Sequence, residues 1–317
     1  MEWLSRFRDE RQFLLVDVFT GKISRIWHET DPAWVVASIA KNEGLDWIQG
    51  GAAFIVVSER DGWRHAYKCS RDGTEQTLLT PGDYDIIEKV KVDEEGGWFY
   101  FNASPENGTQ KYLQRVSLDG SSTHLELVTP PGQIGTHDYQ FSPDARWAFH
   151  TYSNFDTPPV TELVAFPEVA GFPGHRVIRV LEENEALVRN LASLPASTTE
   201  FMQLDIGDGV EMDAWMMKPS SMMVASGKKY PVVVYVYGEP HAQTVLNAWG
   251  TAHADYHRAI AELGYLIVSI DNRGTPAPKG AAWRRSIFPT LGPLSTDEQA
   301  AGLQERELLI KNDRSFN

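Results

Sequence analysis

Residues 53–80 read AFIVVSERDGWRHAYKCSRDGTEQTLLT. Three runs rich in β-branched and aromatic residues are separated by Asp61-Gly62 and Asp72-Gly73, which predicts three strands joined by two hairpins. Asp-Gly or Asn-Gly between alternating strands is the strongest short hairpin signal, because glycine takes the left-handed backbone of a tight turn at little cost. The unit recurs in WFYFNASPENGTQKYLQRVSLDGSSTHLELVT (98–129), with turns at Asn107-Gly108 and Asp119-Gly120. QFLLVDVFTGKISRIW (12–27) precedes it with a turn at Thr20-Gly21, and DYQFSPDARWAFHTYSNF (138–155) opens a fourth unit. The glycine of the last hairpin falls at Gly21, Gly73 and Gly120, spacings of 52 and 47 residues. A period of about 45–50 residues with three or four strands per unit predicts β-propeller blades, an ordinary β-sandwich being the alternative. About four blades fit. They could close a small ring, but the strand-like start MEWLSRF favours a partial propeller, the second half of a larger one.

The pattern changes after about Pro195. TEFMQLDIGDGVEMDAWMMKPSS (199–221) reads as a hairpin turning at Gly207-Asp208-Gly209, and the lysine-bearing loop SGKKY (226–230) follows. VVVYVYGEP (232–240) then begins with six uncharged β-branched or aromatic residues, Val232 to Tyr237, which predicts a strand buried on both faces. HADYHRAIAELGY (253–265) carries Tyr256, Ile260 and Leu263 at helical spacing and closes at Gly264. YLIVSIDNRG (265–274) is a second buried strand, and Ser295 with Glu298 predicts a capping box for a helix in LGPLSTDEQAAGLQERELLI (291–310). Strand, helix, strand, helix predicts a mainly parallel sheet.

Composition narrows the function classes. Of 317 residues, 42% are hydrophobic, and 29 Lys and Arg against 43 Asp and Glu give a net charge of −14. A uniformly acidic chain is a poor partner for a phosphate backbone, so no nucleic-acid binding is expected. The single Cys69 can form no internal disulfide. No run approaches the ~18 apolar residues of a membrane span, and the N-terminus lacks the pattern of a signal peptide. Asn102-Ala-Ser and Asn107-Gly-Thr fit a glycosylation pattern and are read as coincidence.

The segments SERDGWRHAY (58–67), RVLEENEAL (179–187), KKYPVVVYVYGEPHAQTV (228–245), SIDNRGT (269–275) and LGPLSTDEQAAGL (291–303) together resemble the dipeptidyl peptidase IV type of the prolyl oligopeptidase family of serine peptidases. They follow in the family's order over almost the whole chain; only ERELLIKNDRSFN (305–317) does not resemble it. The resemblance implies a β-propeller followed by an α/β-hydrolase fold, here a partial propeller at 1–195 and a partial peptidase domain at 196–317. It also implies proteolysis that releases N-terminal Xaa-Pro or Xaa-Ala dipeptides, with no cofactor or metal. The compartment stays open, since bacterial relatives are periplasmic or secreted and a cytoplasmic chain is the other option.

By the same resemblance Tyr237 matches the tyrosine whose hydroxyl donates to the tetrahedral oxyanion. A strand-end aromatic with a packing role only is the alternative. Many relatives carry Gly-Gly-Pro after this tyrosine, whereas Gly238-Glu239-Pro240 stands here. No G-x-S-x-G elbow occurs, and no residue matches the Ser, Asp or His of the triad. The chain is therefore expected to be inactive as it stands, the alternative role being a non-catalytic propeller module that binds a partner or a complementing chain. Exposed sheet edges, one of them at 266–270, predict self-association. His253 and His257 have the i, i+4 spacing of a metal pair, but with His241 they are read as solvent-facing. Asp271 is read as shaping the site floor. Glu94-Glu95 lies in a turn and Glu182-Glu183 lacks the context of the family's amine-gripping pair, so neither is assigned.

Overall fold

The computed structural model describes residues 1–35, 44–122, 124–166, 174–222 and 229–312; most of the SGKKY loop lies outside them. Up to Glu182 the chain forms four consecutive antiparallel sheets, each strand bonded to the next in chain order. The first holds β1 (Glu2–Leu4), β2 (Glu10–Val16) and β3 (Ile23–Thr30). The second holds β4 (Asp46–Ile48), β5 (Ala53–Ser58), β6 (His65–Ser70) and β7 (Gln76–Leu78). The third holds β8 (Glu88–Asp93), β9 (Trp98–Ala103), β10 (Tyr112–Ser117) and β11 (Glu126–Leu127). The fourth holds β12 (Thr136–Phe141), β13 (Trp147–Ser153), β14 (Val160–Ala165) and β15 (Arg176–Glu182). These are the meander sheets of β-propeller blades, as the hairpin glycines predict.

Stacking of the blades explains why β5 is buried throughout and apolar from Ala53 to Val57. Phe54 and Val56 pack toward Phe13, Ile26 and Trp27 of the first blade, and Ile55 and Val57 toward Ile86, Phe99 and Phe101 of the third. Tyr100, Leu113 and Val128 meet Tyr139, Ala148 and Val164 of the fourth. The recurring glycines serve this stacking as well as the turns. Gly73 has φ +75°, and a Cβ on it would overlap the Ile26 carbonyl oxygen of β3. Gly120 has φ +79°, and its Cβ would lie 2.7 Å from Thr77 Cγ2 of β7. The last hairpin of each of these blades thus rests on the last strand of the blade before it. Gly21 shares the conformation, at φ +69°, but faces open space. Of the two glycosylation patterns, Asn102 is buried and donates to Glu88 Oε1 at 2.7 Å, so it cannot accept a glycan.

The rest of the chain comprises α1 (Glu185–Leu191), β16 (Thr198–Asp205), β17 (Glu211–Lys218), β18 (Val232–Tyr235), α2 (Ala254–Glu262), β19 (Leu266–Asp271), α3 (Gly280–Arg285) and α4 (Pro293–Asn312). One sheet runs β16-β17-β19-β18. It is mixed rather than mainly parallel: only β18 and β19 run parallel, with Val232 opposite Leu266 and Tyr235 opposite Ser269. The tight Gly207–Gly209 turn can only return the chain antiparallel, whereas the α2 crossover permits a parallel return. The strand at 232–235 is not buried on both faces. It is the sheet edge, with Val232 48% and Val234 36% exposed, while Val233 and Tyr235 pack beside Trp215 and Ile267. Strand β19 is interior, between β17 and β18, and buried along its whole length, so the edge on that side lies at 232–235 and not at 266–270. An apolar run records that a strand lacks a polar face, not which neighbours flank it.

Two helix details also differ from expectation. Helix α2 buries Ala254, His257 and Ala261, while Tyr256 and Leu263 are exposed; small residues let the helix approach the sheet closely. Helix α4 starts at Pro293, which places Ser295 inside its first turn, with its hydroxyl on Gly292 O (3.1 Å). Glu298 closes no capping box, because it binds Arg273 instead.

A buried charge network joins α3 to the second blade. Arg284 grips Asp85 through both terminal nitrogens (2.6 and 2.9 Å) and also pairs with Glu59. Arg64 Nε donates to Glu59 at 3.0 Å, and the Arg64 and Gly280 amides donate to Asp85, each at 2.7 Å. Arg285 bridges Glu59 (2.8 Å) and Asp31 (3.2 Å). Three carboxylates meet three guanidiniums, so the charges balance. Burial pushes the Asp85 carboxyl up, but the charges and hydrogen bonds of Arg284 and Arg64 outweigh it and hold it below the ordinary range.

Two outcomes are expected in urea denaturation. Gly73→Ala should cost about 3 kcal/mol, from strain plus overlap, against about 1 kcal/mol for Gly21→Ala, which carries the strain alone. Asp85→Asn should cost about 3–5 kcal/mol, because Arg284 is left buried and half-paired. The lowered Asp85 pKa adds stability above the ordinary carboxylate range that is lost as pH falls through the folded value, so the cost of Asp85→Asn should shrink in acid.

Candidate active site

The parallel strands β18 and β19 end side by side, and in open α/β sheets ligands bind at the carboxyl ends of such strands. Strand β18 runs on into Val236, Tyr237 and Gly238, and β19 into Asn272, Arg273 and Gly274. Gly238 takes φ +74°, where a Cβ would stand 3.2 Å from Asn272 Oδ1. Asn272 Nδ2 donates to Gly238 O at 3.2 Å, and Gln299 of α4 donates to both Asn272 Oδ1 (3.0 Å) and Ile270 O (2.7 Å). The Arg273 amide donates to Glu298 at 2.8 Å. The turn that carries Tyr237 is thus held by the end of β19 and by α4, and Tyr237 itself is 42% exposed. The left-handed residue is Gly238, and Glu239 has no positive φ, so the departure from Gly-Gly-Pro brings no backbone strain.

Asp271, the last residue of β19, is buried and accepts three hydrogen bonds, from Thr244 N (2.9 Å), Thr244 Oγ1 (2.9 Å) and Val245 N (3.0 Å). It fixes the 241–249 segment, which reaches across to the blades. Gln243 Nε2 donates to Gly108 O (2.9 Å), Asn247 N to Thr109 O (2.7 Å), and Phe155 N to Asn247 Oδ1 (2.9 Å). Asp271 thus positions the backbone of Thr244 and Val245. Burial pushes its carboxyl up to about 6, against the lowering effect of the bonds from Thr244 and Val245.

The other sequence candidates are scattered. His241 and His253 are exposed, whereas His257 is buried against Tyr235 and Trp215, so the solvent-facing reading holds for two of the three. Glu94 lies in a turn and accepts the Gln49 amide at 2.5 Å; Glu182 ends β15. A cavity of about 390 Å³ opens between the first two blades and α3, lined by Glu29, Asp31, Glu59, Arg60 and Arg285 among others. Its three carboxylates are already paired with Arg11, Arg285 and the Arg64–Arg284–Arg285 group, so it holds no uncompensated charge for a substrate amine. The sequence reading missed the role of Arg284 and Arg285. The available signal was a charge-dense stretch, Glu59 to Arg64, directly after the apolar run Ala53–Val57 and Ser58. Among the described residues no helix is long and apolar enough to cross a membrane.

Asp271→Asn is expected to lower stability at pH 7, because an amide NH₂ would face one of three donors. A folded pKa of about 6 against an ordinary value near 3.8 means that the native chain holds the extra proton between those values. This group therefore makes stability fall as pH rises through that window, by on the order of 3 kcal/mol. Subtracting the denaturation profile of Asp271→Asn from that of the unsubstituted chain over pH 4–7 should expose the slope; a flat difference would contradict the assignment.

Residues 1–159 match the family described as the dipeptidyl peptidase IV (DPP IV) N-terminal region. Among curated proteins, the Emericella nidulans "Probable dipeptidyl peptidase 4" is 27% identical over 308 residues, covering 93% of this chain and 38% of that protein. The Trichophyton equinum dipeptidyl peptidase 4 is 25% identical over 311 residues, covering 97% of this chain and 38% of its own length. The chain thus spans about two-fifths of these relatives. The crystal structure of Porphyromonas gingivalis dipeptidyl peptidase 4 superposes with a TM-score of 0.83 at 24% identity, covering 96% of this chain and 40% of that one, which establishes the shared fold. With its blades matched over residues 1–159, the chain belongs to the family of the dipeptidyl peptidase IV N-terminal region.

Proposed function

We propose that this chain is the junction region of a dipeptidyl peptidase IV-type serine exopeptidase. In this reading residues 1–195 are part of the propeller and residues 196–317 the start of an α/β-hydrolase peptidase domain. The observation that carries it is the position of Tyr237 at the carboxyl end of the parallel pair, on a turn held by Asn272, beside segments that dock on the blades. When a serine hydroxyl attacks a peptide carbonyl, negative charge gathers on the carbonyl oxygen. A fixed phenol O–H pointing at that oxygen stabilises it, and one such donor is worth about 10²–10³ in kcat. The substrates would be peptides with proline or alanine second from the N-terminus. The sequence supplies no nucleophile elbow and no triad residue, so the chain alone should not turn them over. A second reading, a non-catalytic module completed by another chain, is favoured by the open edge of β18.

Purified chain incubated with a Gly-Pro chromogenic substrate should match the buffer rate, and a fluorophosphonate probe should label no serine. Stoichiometric labelling of any serine would overturn this. When the chain is joined to further blades and to a segment carrying a G-x-S-x-G elbow, activity should appear. Tyr237→Phe should then lower kcat by about 10²–10³ with little change in KM. If neither parameter moved, Tyr237 would not be the oxyanion donor; if no activity appeared in the joined protein, the non-catalytic reading would stand.

A further inference from the structure

The fourth blade buries three histidines around one carboxylate. His137 lies on β12, His150 on β13 and Glu162 on β14, with His150 directly opposite Glu162 in the ladder; His175 immediately precedes β15. His137 Nε2 lies 2.9 Å from Gln133 O, His137 Nδ1 lies 2.9 Å from His150 Nε2, and His150 Nδ1 lies 3.0 Å from Glu162 Oε2. A carbonyl oxygen only accepts, so His137 must carry its proton on Nε2 and present a bare Nδ1. His150 must then donate through Nε2, which leaves its Nδ1 bare. That bare nitrogen faces a carboxylate oxygen, acceptor against acceptor. Three links need three protons, and two neutral imidazoles supply two. Either an extra proton or a cation must sit between His150 Nδ1 and Glu162.

His175, a further ligand-bearing side chain beside the pair, points to the cation. Its Nδ1 lies 3.1 Å from the Tyr139 hydroxyl, which lies 3.2 Å from Thr129 Oγ1, so Nε2 is the nitrogen left to act as a ligand. Ligand atoms of His150, Glu162 and His175 all lie within 4.8 Å of one another. We propose that His150 Nδ1, the Glu162 carboxylate and His175 Nε2 form a divalent transition-metal site of the zinc class inside the fourth blade. Zinc–nitrogen and zinc–oxygen bonds of about 2.0–2.2 Å put tetrahedral ligand atoms roughly 3.3 Å apart. His150 Nδ1 and Glu162 Oε2, 3.0 Å apart, are close to that spacing, and the widest separation in the group, within 4.8 Å, would have to close by about 1.5 Å at most. The outer contacts are in place as well. A ligating imidazole is commonly oriented by a bond from its other nitrogen, and His137 and Tyr139 make those bonds here. Partial exposure of the Glu162 side chain, at 15%, leaves a route in, and the fourth coordination position falls to water. A bound ion would clamp β13, β14 and the start of β15 together.

The full chain, dialysed against chelator and titrated with Zn²⁺, should take up one tight equivalent and gain thermal stability. Co²⁺ should give the intense visible absorption of a four-coordinate ion. Glu162→Gln and His175→Gln should each weaken Zn²⁺ binding by at least about 100-fold, more than loss of an outer partner costs. His253→Gln should bind as the unsubstituted chain does. Absence of a tight equivalent, a weak six-coordinate Co²⁺ spectrum, or folded Glu162→Gln and His175→Gln variants with undiminished binding would each overturn the site. If the variants do not fold, the Co²⁺ spectrum of the unsubstituted chain decides.

Discussion

The grip of Arg284 on Asp85 and Glu59 is the contact on which the rest of this structure depends. Buried charges are tolerated only when each is paired and its remaining donors and acceptors are satisfied. Here that demand fixes more than one ion pair. Asp85 accepts the Arg64 and Gly280 amides as well as the guanidinium, so the backbone of the second blade and the first turn of α3 are set by the same carboxylate. Arg285 extends the network to Asp31 on the first blade. Blades and mixed sheet cannot slide past each other without leaving a charge unpaired in the interior.

That constraint reaches the candidate site through short connections. Helix α3 begins a few residues beyond the Asn272–Gly274 turn, so the anchor on the blades also fixes the end of β19. From there Asn272 holds the Gly238 carbonyl, and Asp271 holds Thr244 and Val245. Tyr237 therefore stands on a turn whose geometry is set by side chains far away in the sequence. For the oxyanion role proposed for Tyr237 such a fixed turn would matter, since a donor that had to reorient during the reaction would lose most of its effect.

The blades themselves show how a repeat is maintained. Each is a small meander that cannot bury both faces alone, and stacking supplies the second apolar layer. The hairpin glycines sit where one blade leans on the next, which explains why Gly73 and Gly120 are needed for space as well as for backbone conformation. The fourth blade departs from this apolar scheme: between its strands it holds imidazoles and a carboxylate whose protons do not close without a further positive charge.

Local chemistry was legible in the sequence. Asp-Gly and Asn-Gly turns and period-two strands depend on neighbours within a few residues, so the blades of 1–182, the hairpin at 207–209 and the strands at 232 and 266 were all readable. The role proposed for Tyr237 comes only from family resemblance, because a strand-end tyrosine has no local signature of an oxyanion donor. Tertiary structure alone decided which strand became the edge, since an apolar run such as Val232–Tyr237 looks the same whether one flank or both are filled. It also decided the buried face of α2, where Ala254 and Ala261 are chosen for closeness to Trp215 rather than for hydrophobic bulk. The charge network and the histidine cluster were beyond sequence for the same reason: Asp85 and Arg284 are 199 residues apart, and their attraction exists only once the fold has removed the water between them.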